Sequence, residues 1–191
     1  MKKEDFMTDI FPILFLTIVV CISVVGLSLT NSVTEERIKE AKEEAIREML
    51  SEQFPEMQNY EYNDDYEFYT IYGEDEVVIG YAYRTEGSGY GGAIEMLVAL
   101  EDTGLTTNNT VIRGISIISH QETPGLGAKI EQESFLDQFE GVNANDVSLA
   151  ENGGEIDAIS GATISSSAVV DEVHQSALEK AEQIRESQEA D

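Results

Sequence analysis

The chain has 191 residues, 41% of them hydrophobic, which is enough for one packed domain beside a membrane anchor. Its 38 acidic residues against 11 basic ones give a net charge of −27, a surface that repels phosphate backbones and argues against nucleic-acid binding. One cysteine, Cys21, and two histidines, His120 and His174, leave no material for a disulfide framework, a cysteine-ligated iron–sulfur cluster or a histidine-rich metal site.

After an N-terminal tail, residues 1–9, the run IFPILFLTIVVCISVVGLSLT (10–30) carries no charged residue over 21 positions. At about 1.5 Å per residue, a helix of that length crosses a hydrocarbon core of roughly 30 Å. A cleaved signal peptide has a shorter apolar core of about 7–15 residues and a small-residue cleavage site, and neither is present. The expectation is a single retained transmembrane helix, with Pro12 in its first turn, where a missing N–H is harmless. Lys2 and Lys3 precede the run, while Arg37, Lys39, Lys42 and Arg47 follow it, so the basic residues do not decide its orientation. Residues 31–52 read as a helical stalk. Ser32 and Glu35 have capping-box spacing, and Ile38, Ala41, Ala45, Ile46 and Met49 recur at helical spacing, predicting a helix over 34–50.

The remainder, 53–191, reads as one domain. YEFYTIY (66–72) and EVVIGYAYRT (76–85) predict strands around a GEDE turn; AIEMLVALE (93–101) and TVIRGISIIS (110–119) predict two more around DTG. Most of the eight tyrosines fall in or before these strands and read as core or cross-strand partners. GSGYGG (87–92) formally contains GxGxxG, but the segment after it reads as a strand and not as the helix of a dinucleotide-binding unit. A tight turn, or a close approach of backbone to something bulky, fits it better. In SHQETPGLGAKI (119–130), Pro-Gly suits the centre of a type II turn and Gly127 a second bend. Glu122, Thr123 and Leu126 are thereby presented around a rigid corner, polar groups beside an apolar one, which suits a flat amphipathic ligand.

The last segment opens on DAISGATISSSAVVDEV (157–173), with five hydroxyl side chains ahead of an apolar run. Val169, Val170, Val173, Ala177, Leu178, Ala181 and Ile184 recur at helical spacing, so a helix begins near the serine cluster. One of Thr163, Ser165 or Ser166 is expected as its N-cap. The same helix start offers free N–H groups and a partial positive charge to a phosphate, and Gly161 and Ala162 leave room for a close approach. The segment is thus either an ordinary capped helix or the seat of a phosphate borne on one of its hydroxyls.

SGAT preceded by Asp157, together with GYGG and ETPGLG in that order, resembles the flavin-binding domain found in the G subunit of the Rnf electron transport complex. The C subunit of the sodium-translocating NADH:quinone reductase shares that domain. The resemblance implies an α+β fold: a single N-terminal transmembrane helix, a helical stalk, then a compact β-rich FMN-binding domain ending in a C-terminal helix. It implies FMN joined to Thr163 through a phosphoester, with Ser160, Gly161 and Ala162 shaping the phosphate end and Glu122, Thr123, Leu126 and Gly127 near the flavin. No catalytic residue and no metal site is implied. A separate magnesium-dependent flavin transferase, taking FMN from FAD, would carry out the attachment. The implied role is an electron-transfer subunit in an ion-translocating ferredoxin oxidoreductase, with other membrane and redox subunits as partners and the FMN domain on the extracytoplasmic side. A membrane-anchored flavin-binding sensor is the alternative, but no signalling segment accompanies the domain. The strong acidity is a departure from the family that leaves the fold expectation unchanged.

Overall fold

The computed structural model describes residues 13–21, 23–24, 43–102 and 109–190. The chain divides into two units, Met1–Arg47 and Glu48–Asp191. In the first, residues 13–21, 23, 24 and 43–47 are helical. Thr17 Oγ1 donates to the Ile13 carbonyl at 2.8 Å and Ser23 Oγ to the Val19 carbonyl at 2.9 Å. Such back-bonding satisfies a hydroxyl within its own helix, so that it needs no water. The rest of the predicted 10–30 span, the tail 1–9 and stalk residues 31–42 lie outside the described residues. Among the described residues, no helix is long and apolar enough to cross a membrane.

The second unit opens on helical residues 48–53. The last bond of that helix runs from the Phe54 N–H to the Leu50 carbonyl at 2.8 Å, and Pro55 then prevents continuation. A five-stranded antiparallel meander follows, its spatial order the same as its chain order. The strands are β1 (Asn59–Asn63), β2 (Phe68–Tyr72), β3 (Val78–Ser88), β4 (Ala93–Glu101) and β5 (Ile112–His120). The four expected strands are β2 to β5; β1, NYEYN at the sheet edge, was not anticipated. Tyr62 pairs with Tyr69 across β1 and β2, their ring centroids 4.7 Å apart, which is the cross-strand packing expected of the tyrosines.

Both faces of the sheet are covered. Gln53 and Phe54 lie on one face: the Gln53 carboxamide donates to the Ser116 hydroxyl at 3.1 Å, and Phe54 occupies the space a side chain at Gly80 would fill. The other face carries Tyr81 and Tyr83 of β3 and Ile94, Met96, Val98 and Leu100 of β4, all buried. Interior strand β4 therefore reads as a nearly continuous apolar run, MLVAL, with no clean alternation. The C-terminal helix packs on this second face with Val169, Val170, Val173, Ala177, Ala181 and Ile184 buried, the set its periodicity predicts; Leu178 is only partly covered. Polar bonds reinforce the packing: Tyr83 OH to Ser176 Oγ at 3.0 Å, Thr85 Oγ1 to the Glu172 carboxylate, and Lys180 Nζ to the Tyr66 carbonyl at 2.6 Å.

Residues 127–156 form a chain of short 3-10 turns around one four-residue helix, α1 (Glu133–Leu136). Phe135 and Phe139 meet edge to face, 5.5 Å between centroids, and close the end of the core with Ile130, Val147, Leu149 and Ile156. The C-terminal helix, α2, spans Thr163–Ala190. The unit is α+β, as the sequence implies.

Candidate functional site

Three segments far apart in the chain converge at the start of α2. The first is the turn between β3 and β4, closed by the Gly89 N–H on the Gly92 carbonyl at 2.8 Å. A Cβ at Gly87 would lie 2.7 Å from the Ala168 carbonyl, so glycine here lets the first turns of α2 settle directly on β3. The second is the corner after β5. The Leu126 N–H bonds the Thr123 carbonyl at 3.1 Å, and Gly125, at φ +78°, takes the third position of the type II turn in which Pro124 is second. The third is the SGAT segment, where Gly161 turns the chain at φ +79° into α2.

The helix start differs from expectation. The first helical bond runs from the Ser166 N–H to the Ala162 carbonyl at 3.0 Å, which makes Ala162 the N-cap and Thr163 the first helical residue. None of Thr163, Ser165 or Ser166 is the N-cap. The serine hydroxyls are drawn off by tertiary partners: Ser166 Oγ accepts from the Ile159 N–H at 3.0 Å and donates to the Ala162 carbonyl at 3.1 Å. Ser165 Oγ donates to Glu122 Oε2 at 2.6 Å. Among the described residues, no side chain caps the amides of Thr163, Ile164 and Ser165.

Glu122 occupies the junction. Its second oxygen, Oε1, accepts the Gly91 N–H at 2.8 Å, so the carboxylate ties the glycine turn to the helix start. The sequence reading presents Glu122 around the corner to a ligand; in the fold its side chain is bonded to protein through both oxygens and the residue is only 5% exposed. Its own N–H donates to His120 Nδ1 at 3.0 Å, which leaves the ring proton on Nε2, facing Glu131 Oε1 at 3.0 Å. A Cβ at Gly89 or Gly127 would collide with the Glu122 carboxylate, and one at Gly91 with the Gln121 carbonyl. GSGYGG is therefore a place of close backbone approach to protein, at Gly89 and Gly91.

Above this junction lies a cleft of about 530 Å³, within the size range of roughly 300–1,000 Å³ typical of cofactor sites. Seven of the eight predicted site residues line it: Glu122, Thr123, Leu126 and Gly127 from the corner, and Gly161, Ala162 and Thr163 from the helix start. Ser160 is exposed and does not line it. Tyr90, Ile164 and Ser165 complete the lining and were missed. A signal for two of them was present. Tyr90 lies within GYGG, and Ile164 falls off the apolar stripe of α2, with no core to face.

The rim is apolar. Tyr90, Ile164 and Leu126 are 72%, 58% and 47% exposed, and they flank the exposed Thr163 hydroxyl and the uncapped helix amides. An anion seat beside three exposed apolar side chains fits a ligand with a flat apolar body and a negative tail. Two other depressions, about 570 Å³ beside Arg113 and about 770 Å³ beside the 73–76 turn, each include several acidic and amide side chains and lack such a rim. Among the described residues, no group of three or more His, Cys, Asp or Glu is placed to hold a metal ion.

Residues 89–178 match the FMN-binding domain family, a range that includes the glycine turn, the corner and the first half of α2. The G subunit of the ion-translocating oxidoreductase complex of Methanosarcina acetivorans is 36% identical over 172 residues, covering 85% of this chain and 89% of that one. The G subunit of the proton-translocating ferredoxin:NAD(+) oxidoreductase complex of Clostridium ljungdahlii is 43% identical over 94 residues, 48% of each chain. Among solved structures, the C subunit of the Na(+)-translocating NADH-quinone reductase from Parabacteroides distasonis aligns with a TM-score of 0.44 at 25% identity, covering 60% of this chain and 62% of that one.

Proposed function

This chain belongs to the family of G subunits of ion-translocating oxidoreductase complexes, and we propose that it is the membrane-anchored electron-transfer subunit of an Rnf-type complex, carrying FMN on Thr163. One observation carries the choice of residue. Of the hydroxyls around the helix start, Ser165 and Ser166 are buried and hydrogen-bonded, while Thr163 is exposed within the cleft.

The residues present fit the group. The amides at the first turn of α2 suit a phosphate, and the apolar side chains of Tyr90, Leu126 and Ile164 suit a flat ring system. Bound FMN supplies the redox chemistry, which no side chain of this chain need perform. What the chain contributes is attachment, orientation and shielding. In the attachment step, Thr163 Oγ1 forms a new bond to the flavin-side phosphorus of FAD. The pyrophosphate P–O bond breaks, AMP departs, and the hydroxyl proton passes to a base. A threonine hydroxyl is a weak nucleophile without activation. That activation falls to a separate magnesium-dependent flavin transferase, as the family resemblance implies. The phosphodiester that results keeps one negative charge, which the positive end of α2 favours.

In the same proposal, the apolar run 10–30 anchors the chain in the membrane, the FMN domain lies on the extracytoplasmic side, and the remaining redox and membrane subunits of the complex are its electron partners. The isolated chain then turns over no substrate of its own. The test is intact-mass and fluorescence analysis of the denatured full chain produced with the transferase. A covalent FMN adduct is expected in wild type, absent from Thr163→Val, and present on Thr163 in Ser165→Ala and Ser166→Ala after prolonged incubation. An adduct that persists in Thr163→Val rejects the assignment.

A further inference from the structure

Glu122 makes no ion pair among the described residues, although it is 5% exposed. A buried carboxylate held by hydrogen bonds alone is costly to retain, and a neutral side chain could fill its space at lower cost. The surroundings are nevertheless built around it. Gly89 and Gly127 leave open the space its two oxygens take, and its partners come from 31 residues upstream and 43 residues downstream. Ser165 is the third residue of α2, so the carboxylate also lies against the positive end of that helix.

We propose that Glu122 is the positioning residue of the cleft: it clamps the glycine turn and the first turn of α2 to the corner, and it holds the Ser165 hydroxyl so that Thr163 is the one presented for modification. The inference rests on the reading of Thr163 as the attachment point. Without the clamp, no other side-chain bond among the described residues joins the 88–92 turn to the helix start. Ser165 Oγ is then released close to the uncapped amides that would otherwise seat the phosphate of a Thr163 adduct. Both effects disturb the same step, the approach of Thr163 Oγ1 to phosphorus, where small misplacements are costly.

The experiment uses the full chain with flavin transferase, FAD and magnesium, following the initial rate of covalent labelling by fluorescence and the modified residue by peptide mass spectrometry. Amide hydrogen exchange of the unmodified chain reports the clamp itself. Glu122→Ala should slow labelling by about tenfold or more, remove protection of the Gly91 amide, and yield detectable Ser165 adduct. Glu122→Gln should label within about threefold of wild type, because its carbonyl still accepts from Gly91 and its amide can donate to Ser165. That rescue is not expected if the position tolerates only the native charge. Glu122→Ala with Ser165→Ala should be no slower than Glu122→Ala alone, since the one bond that Ser165→Ala removes is already lost in Glu122→Ala. Should Glu122→Ala not fold, Ser165→Ala carries the test and should slow labelling severalfold; a wild-type rate overturns the clamp. Wild-type labelling on Thr163 with an undiminished rate in Glu122→Ala also overturns it, while leaving the attachment reading intact. Labelling that survives Thr163→Val defeats the attachment reading instead.

Discussion

Tyr83 and Ser176 form a buried pair that fixes α2 on β3, and the geometry ranks the two ways of breaking it. The Ser176 hydroxyl donates to the Glu172 carbonyl at 2.7 Å, so in its 3.0 Å contact with Tyr83 the serine oxygen accepts and the phenol donates. Tyr83→Phe removes the donor and leaves the serine proton bonded, a loss of about 1 kcal/mol. Ser176→Ala leaves a fully buried phenol O–H with no acceptor, which costs about 1–3 kcal/mol. Ionisation offers no escape, because burial pushes the Tyr83 phenol well above its ordinary value. At about 2–4 °C per kcal/mol for a domain of this size, Tyr83→Phe should lower the melting midpoint by about 2–4 °C and Ser176→Ala by roughly twice that. The double variant should be more stable than Ser176→Ala alone, since the stranded phenol is gone. Thermal and urea unfolding of the full chain in detergent, followed by circular dichroism, measures all three. A Ser176→Ala variant no less stable than Tyr83→Phe would refute the donor assignment, and strictly additive effects would refute the bond.

Two further outcomes test the backbone and the pH response. Gly91→Ala drives a Cβ into the Gln121 carbonyl and should cost about 1–3 kcal/mol. Gly125→Ala meets no atom within 4 Å and should cost only the roughly 1–2 kcal/mol of its left-handed φ. Urea midpoints compare them, and a larger loss at Gly125 contradicts the close approach at Gly91. The Tyr81 phenol is raised from 10.0 to about 12, chiefly by burial and then by the Asp102 charge. Folding therefore favours its neutral form: the contribution is whole below about pH 10 and is lost as pH rises towards 12. Wild type should lose stability more steeply than Tyr81→Phe between pH 10 and 12, and equal slopes refute this.

Much of the architecture was legible because its signals are local. The 3.6-residue period from Val169 to Ile184 marks the buried face of α2, and the apolar and aromatic runs with their glycine turns mark β2 to β5. NYEYN escaped because an edge strand alternating tyrosine with polar residues has little apolar contrast. Residues 127–156 escaped because short 3-10 turns carry no sustained period, although Phe135 and Phe139 are deep in the core.

The sequence by itself determined the segments that meet at the cleft: GYGG, ETPGLG and SGAT are readable as turns and a helix start from glycine, proline and hydroxyl chemistry alone. Only the tertiary structure decided what their side chains do there. Read locally, one of Thr163, Ser165 and Ser166 is the helix cap, and Glu122 is a polar group presented around a corner. In the fold, Glu122 accepts from Gly91 and Ser165, Ser166 binds Ile159 and Ala162, and the cap position falls to Ala162. A hydroxyl or carboxylate has several partners of similar energy within reach. Burial removes water from the competition, and the choice then depends on which distant segment packs against it.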